Sequence, residues 1–180
     1  MGFLRVFIFA ALTLRTADAA VLRIVDLDRL AEESSAIVQG RIVAARVEWN
    51  HGHTAILTIY TVRAERYLKG FLGETFELTE PGGELDGLAM HVAGAPHFRV
   101  GEEAVLFVWT DDLYGRHQAI GFEQGVFRVR PEPGTGLKLL SRSAPLPTTQ
   151  DRTAGRTARE LNLFLAQVGE AVRRSRKAQP

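Results

Sequence analysis

The chain has 180 residues, 22 Lys and Arg against 21 Asp and Glu, a formal net charge of +1, and no cysteine. Near-neutrality removes the electrostatic case for nucleic acid, and the aromatic residues are not interleaved with a basic stripe as single-strand binders require. With no thiol there is neither a disulfide scaffold nor thiolate chemistry, so the hydrophobic core alone must hold the fold.

The first residues, MGFLRVFIFAALTLRTADAA, join Arg5 to an apolar run from Val6 to Leu14 and the small-residue pattern Ala17-Asp18-Ala19. That order predicts a secretory signal peptide over residues 1–19, cleaved near Ala19, and a protein that is secreted or periplasmic. The run is too short to span a bilayer, and no later segment is apolar enough to do so. Taking away 1–19 removes Arg5, Arg15 and Asp18 and leaves 161 residues with 20 basic and 20 acidic side chains, the size of one domain. Residues 20–150 then hold 13 bases against 17 acids and residues 151–180 hold 7 against 3, a mildly acidic body with a basic tail.

In VDLDRLAEESSA, Leu27, Leu30 and Ala31 share one helical face and Asp26 is placed to cap it, which predicts a short opening helix. AIVQGRIVAARVEW is rich in β-branched residues and is followed by NHGH, where Gly52 allows a tight reversal. TAILTIYTVRAERYLKG returns as a second long strand, with Ile56, Tyr60, Val62 and Ala64 on one face and Leu57 and Ile59 on the other, so the pair forms a hairpin. GETFELTEPGG, LAMHVAG, EEAVLFVWT, HQAIGF, GVFRVRPE and GLKLLSR continue as short apolar runs separated by Gly, Pro or Asp-rich turns. Regular short strands of this kind predict a closed barrel or sandwich rather than alternating strands and helices.

In GAPHFRVGEEAVLFVW, Pro96 and Gly101 mark a turn, Phe98 and Val100 tuck it down, and Ala104 to Trp109 form a nearly continuous apolar strand. A barrel strand with its outer face covered by a helix has that pattern. SAPLPTTQDRTAG reads as a linker. TARELNLFLAQVGEAVRR then sets Leu161, Phe164, Leu165, Val168 and Val172 at helical spacing, with Thr157 and Glu160 in a capping-box pattern and Gly169 weakening the last turns. The apolar stripe is expected to pack on the barrel. The run Arg173 to Lys177 is expected to be a solvated, frayed helix end whose charge suits the negative pole of the helix dipole. The domain reading is a β-barrel over 20–146, then linker, amphipathic helix and basic tail over 147–180.

No segment spells a reaction or a cofactor site. Ser34, Ser35, Ser141, Ser143 and Ser175 lie outside any GxSxG elbow. Glu102 and Glu103 are neighbours in a strand and point to opposite faces, so they make a poor acid–base pair. EPGGELDG has the glycines of a phosphate loop without its lysine or following helix. His51 and His53 flank Gly52 and point to one side if the backbone is extended, with His91, His97 or His117 as further ligands only if the fold gathers them. The reading is therefore a non-enzymatic protein with no metal and no cofactor. Its alternatives are a metal-binding protein or metal-dependent enzyme using these histidines, or a structural component of the envelope. Binding residues are sought in two loops: Trp49, Asn50, His51 and His53 in the first hairpin, and Asp111, Asp112, Tyr114 and Arg116 in DDLYGR.

The succession SAIVQGRIVAAR, AERYLKG, ELTEPGG, FRVGEEAVLFVW and GFEQGVFRV, spanning Ser35 to Val129, resembles a group of uncharacterised exported bacterial β-barrel proteins. More remotely it is similar to the netrin-like, OB-type barrel of the tissue inhibitors of metalloproteinases. The resemblance implies a mainly β fold, an OB-like (netrin-like) closed antiparallel barrel between a short N-terminal helix and a C-terminal amphipathic helix. It also implies a protein-binding role, with a secreted protein such as a metalloprotease as partner. Those inhibitors engage zinc through an N-terminal cysteine held by disulfides; without cysteine, that wedge does not carry over to this chain.

Overall fold

The computed structural model describes residues 26–142 and 159–178. The expected leader, the whole linker from Ser143 onward, and Thr157 lie outside the described residues. Strands β1 (Ala36–Trp49) and β2 (Ile56–Lys69) form the long hairpin, registered from Ile37 with Lys69 to Trp49 with Ile56. Next come β3 (Thr75–Pro81), the small hairpin of β4 (Gly83–Leu85) and β5 (Leu88–Met90), β6 (Glu103–Thr110) and β7 (His117–Ala119). A single 3-10 turn, Phe122–Gly125, leads into β8 (Val126–Pro131), β9 (Lys138–Ser141) and the two-residue β10 (Arg159–Glu160).

A closed barrel of five strands follows from the pairing order β1-β2-β3-β7-β6, because β6 pairs back onto β1 from Ala36 with Val108 to Arg41 with Glu103. Four seams are antiparallel, as expected. The fifth is not: β3 and β7 run parallel, registered at Leu78 with His117. The chain leaves β3, crosses by β4, β5 and a loop, descends β6 and turns back, and that path brings β7 in with the direction of β3. β8 adds beside the first half of β6 while β7 takes the second half, and β9 and β10 extend the sheet beyond the barrel.

Two cores share the wall between them. Inside the barrel lie Val38, Ile42, Tyr60, Val62, Phe76, Leu78, Ala104, Leu106, Val108 and Val126. On the outer face of the same strands, Ile37, Val105, Phe107, Phe127, Val129 and Leu140 meet the helices. α1 (Leu27–Glu33) contributes Leu30 and Ala31, capped by Asp26, whose carboxylate accepts the Arg29 amide at 2.8 Å. α2 (Leu161–Ala178) contributes Leu161, Phe164, Leu165, Val168, Ala171 and Val172. This double burial explains the continuous apolar run of β6: alternate residues fill alternate cores. Burying that stripe of α2 is what stabilises the helix, since an amphipathic segment gains little from propensity alone.

Several local expectations need correction. Trp109 ends the apolar run exposed, and Val100 is exposed rather than tucked down. Glu160 pairs with Leu139 in β10, so α2 begins at Leu161 and its first turn does not include the capping-box glutamate; the sheet edge of β9 takes those backbone groups first. α2 then continues through Gly169 and the basic run to Ala178, held in part by an ion pair between Arg174 and Asp28 of α1. In the first hairpin the left-handed residue is His53, with φ 51°, and not Gly52. Asn50 organises that turn by accepting the amides of Thr54 and Ala55 on its side-chain oxygen. Gly40 is needed for closeness instead: a Cβ there would lie 2.8 Å from a Val62 methyl and 2.9 Å from the Arg63 carbonyl oxygen, beside a bulge in β1.

Candidate functional site

The two loops singled out from the sequence lie at opposite ends of β1. The β1–β2 tip follows Trp49, the last residue of β1. The β6–β7 loop stands at the first residues, where the Ser35 hydroxyl bonds to the Val108 carbonyl and the Thr110 hydroxyl. They do not make one patch.

The β1–β2 tip is turned in on itself. The indole N–H of half-buried Trp49 donates to Asp86 at 3.2 Å, and its ring lies 6.0 Å from that of His53. Asn50 is spent on the turn, while His51 and His53 are exposed. With His53 left-handed the backbone is not extended, so the two imidazoles lose the same-side relationship that extension would give.

The β6–β7 loop has the opposite character. The Asp111 amide donates to the Arg116 carbonyl at 2.8 Å, and the Asp111 carboxylate accepts the Leu113 amide at 2.8 Å. Arg116 covers the Tyr114 ring at 5.6 Å, and Asp112 is exposed. The backbone is thus fixed while Leu113 is 84% and Tyr114 73% exposed. Leu113 lies inside the loop the sequence singled out, whereas two exposed residues near it, Phe71 and Trp109, were not read as contacts. Phe71, 72% exposed, sits in the β2–β3 loop at the same end, because β3 and β7 enter in parallel there and the rings of Phe76 and His117 meet edge-on at 5.9 Å. Trp109, 44% exposed, pairs with Gln118 one step below the loop and lines a shallow groove of about 270 Å³ with Glu33 and Phe122. Four of the large exposed hydrophobic side chains therefore share one end of the barrel.

The remaining chemistry is dispersed. His91 and His97 stack with ring centres 6.1 Å apart, and His117 bonds to the Thr110 hydroxyl at 3.0 Å, its pKa lowered by burial. Among the described residues no three His, Asp or Glu side chains come together to hold a metal. Ser34 donates to the Leu30 carbonyl and Ser175 to that of Val172, so neither hydroxyl is set up as a nucleophile. Glu102 and Glu103 belong to different networks, though not as strand neighbours: β6 starts at Glu103, and Glu102 closes the turn before it, its amide donating to the Arg99 carbonyl at 3.0 Å. Glu102 pairs with Arg128 at 2.8 Å. Glu103 takes Gln39, Arg41 and Lys138. Burial opposes ionisation of Glu103, yet the hydrogen bonds from Lys138 and Gln39 and the charges of Lys138 and Arg41 outweigh it and hold its carboxyl below the usual range.

One buried acid was missed. Glu80, 1% exposed, follows Phe76 and Leu78 at two-residue spacing and so points into the barrel. Its Oε1 accepts the Ala119 amide at 2.8 Å, while Oε2 is buried without a partner. Burial pushes its pKa up to about 8; the Ala119 bond opposes the rise and the charge of Glu123 adds to it. The alternation Phe76, Leu78, Glu80 was visible in the sequence, but TEPGG drew attention to a turn.

Compared with known proteins, the chain matches no family model and no curated sequence. Among the described residues no helix is long and apolar enough to cross a membrane.

Proposed function

We propose that this protein is a non-enzymatic, protein-binding barrel that works outside the cytoplasm, secreted or periplasmic, and engages its partner through the end formed by the β2–β3 and β6–β7 loops. The observation that carries this reading is the grouping of Phe71, Trp109, Leu113 and Tyr114 on a braced scaffold. Aromatic residues held rigid at low entropic cost are the usual anchors of protein interfaces, and Arg116 beside Tyr114 adds the other common anchor type. Scattered exposed hydrophobic residues need no explanation, whereas a group on adjoining loops does.

The fold is read as OB-like, in the netrin-like sense. Its support is the five-strand closure, with β1 paired on both edges and a long excursion between β3 and β6. The similarity to metalloproteinase inhibitors makes a secreted metalloprotease the first partner to test, by a contact other than a cysteine wedge. Capture from the native secretome with the tagged protein tests the reading. A partner recovered in stoichiometric amount and lost on Leu113→Ser with Tyr114→Ser supports it. Recovery of the protein alone, or retention of the partner by the double variant, contradicts it.

A further inference from the structure

At the start of β6, the end of that strand away from Trp109, lies an open cleft of about 540 Å³ lined by His97, Arg99, Glu102, Arg128, Val129 and Arg130. From this lining we infer a second binding site, one that takes a small ligand carrying a phosphate or carboxylate group.

The floor is built. Arg128 and Arg130 lie two apart on β8 and share a face, opposite the face on which Phe127 and Val129 enter the helix-covered core. Arg128 is held by Glu102 at 2.8 Å, by Glu123 at 2.6 and 2.7 Å and by the His97 carbonyl at 3.0 Å, and it stacks over Phe98 at 5.4 Å. Glu102 is likewise fixed in place: one oxygen takes Arg128 and the other accepts the Arg99 amide at 3.0 Å. The one carboxylate in the lining is thus held on Arg128, which it shares with Glu123.

The rim differs. The side chains of Arg99 and Arg130 are exposed and make no hydrogen bond or ion pair with any described residue. The acid closest in sequence to Arg130, Glu132, accepts the Thr135 hydroxyl at 2.5 Å. Two guanidinium groups and the His97 imidazole thus border a concavity in which Arg99, Arg128 and Arg130 stand against Glu102 and Glu123, one formal positive charge in excess. Guanidinium matches the paired oxygens of phosphate and carboxylate with two parallel N–H donors, better than a point charge does. The volume falls within the ~300–1,000 Å³ of ligand sites, which leaves room for a ligand larger than a bare ion.

Titration of the full protein with inorganic phosphate and, separately, with citrate tests the site, followed by amide chemical shifts at constant ionic strength. Saturable shifts confined to residues 97–102 and 128–130, with affinity falling about tenfold in Arg99→Ala and in Arg130→Ala, are the expected result. Saturation by phosphate alone assigns a phosphoryl group and saturation by citrate alone a carboxylate; either supports the site. Arg63→Ala, exposed on β2 and outside the cleft, serves as the control for general charge. No saturable shift with either probe overturns the inference, as does an equal loss in Arg63→Ala. Both Arg variants should still capture the protein partner proposed above, so the two readings fail separately.

Discussion

Glu80 Oε1 accepts the amide hydrogen of Ala119 at 2.8 Å across the parallel β3–β7 seam. The backbone register of that seam rests on Leu78 with His117, so the buried carboxyl extends the join by a side-chain bond. Its other oxygen has no partner, which makes the charged form costly in the barrel interior.

A pH dependence follows from the raised pKa. The folded value of about 8 lies above the ordinary 4.5, so the native state holds a proton that the unfolded chain releases. Stability is complete below pH 4.5 and declines as pH rises through 8, by up to about 1.4 kcal/mol per pH unit inside that window. Glu80→Gln keeps the acceptor and the volume and removes the titration. Denaturant midpoints at pH 5 and pH 9 should converge in the variant relative to the wild type. Equal slopes in the two proteins would show that Glu80 does not titrate in this way.

The helix-covered core can be probed at adjacent residues. The Phe164 ring lies 4.4 Å from that of Phe127, and Phe164 is buried, whereas Leu163 faces solvent. Phe164→Ala should cost about 3–5 kcal/mol and Leu163→Ala less than about 0.5 kcal/mol by urea unfolding. Similar small costs for both would mean that α2 is not part of the folding unit.

Glu103 sits below Arg41 and Lys138 and is itself nearly buried. Glu103→Ala leaves Gln39 without its 2.8 Å acceptor and two cations without their shared anion, and should cost about 1–3 kcal/mol. Lys138 is half exposed, so Lys138→Ala should cost under about 1 kcal/mol. Thermal melts of the two variants check the order; a larger loss at Lys138 would reverse the assignment.

The hairpin and the bulge give opposite glycine effects. Gly52→Ala meets only the Thr54 side chain at 3.8 Å and carries no left-handed constraint, so it should be neutral. His53→Gly relieves a left-handed histidine and is expected to gain up to about 1 kcal/mol, less what the Trp49 ring contact contributes. Gly40→Ala forces a methyl against the Arg63 carbonyl oxygen and should cost roughly 1–3 kcal/mol. A destabilised Gly52→Ala would contradict this account of the turn.

Periodicity carried most of the architecture. Both faces of β6 read as apolar because both are covered, and the α2 stripe read as buried because its spacing left no other stable outcome. What escaped depended on where strands end. Trp109 and Val100 look like core by composition, yet they sit where the sheet passes into loops and the covering layer stops. The parallel seam and the separation of the two candidate loops come from the order of crossings, which no local window contains. Glu80 obeyed the same two-residue rule as Phe76 and Leu78, but a carboxylate at a core position is normally read as a turn residue.

Hydrogen exchange on the captured complex is the most direct measurement of the proposed contact. Protection concentrated in residues 70–74 and 109–117, with the β1–β2 tip at 50–55 unchanged, is the result this account predicts. Protection centred on Trp49, His51 and His53 with none at Leu113 and Tyr114 would contradict it.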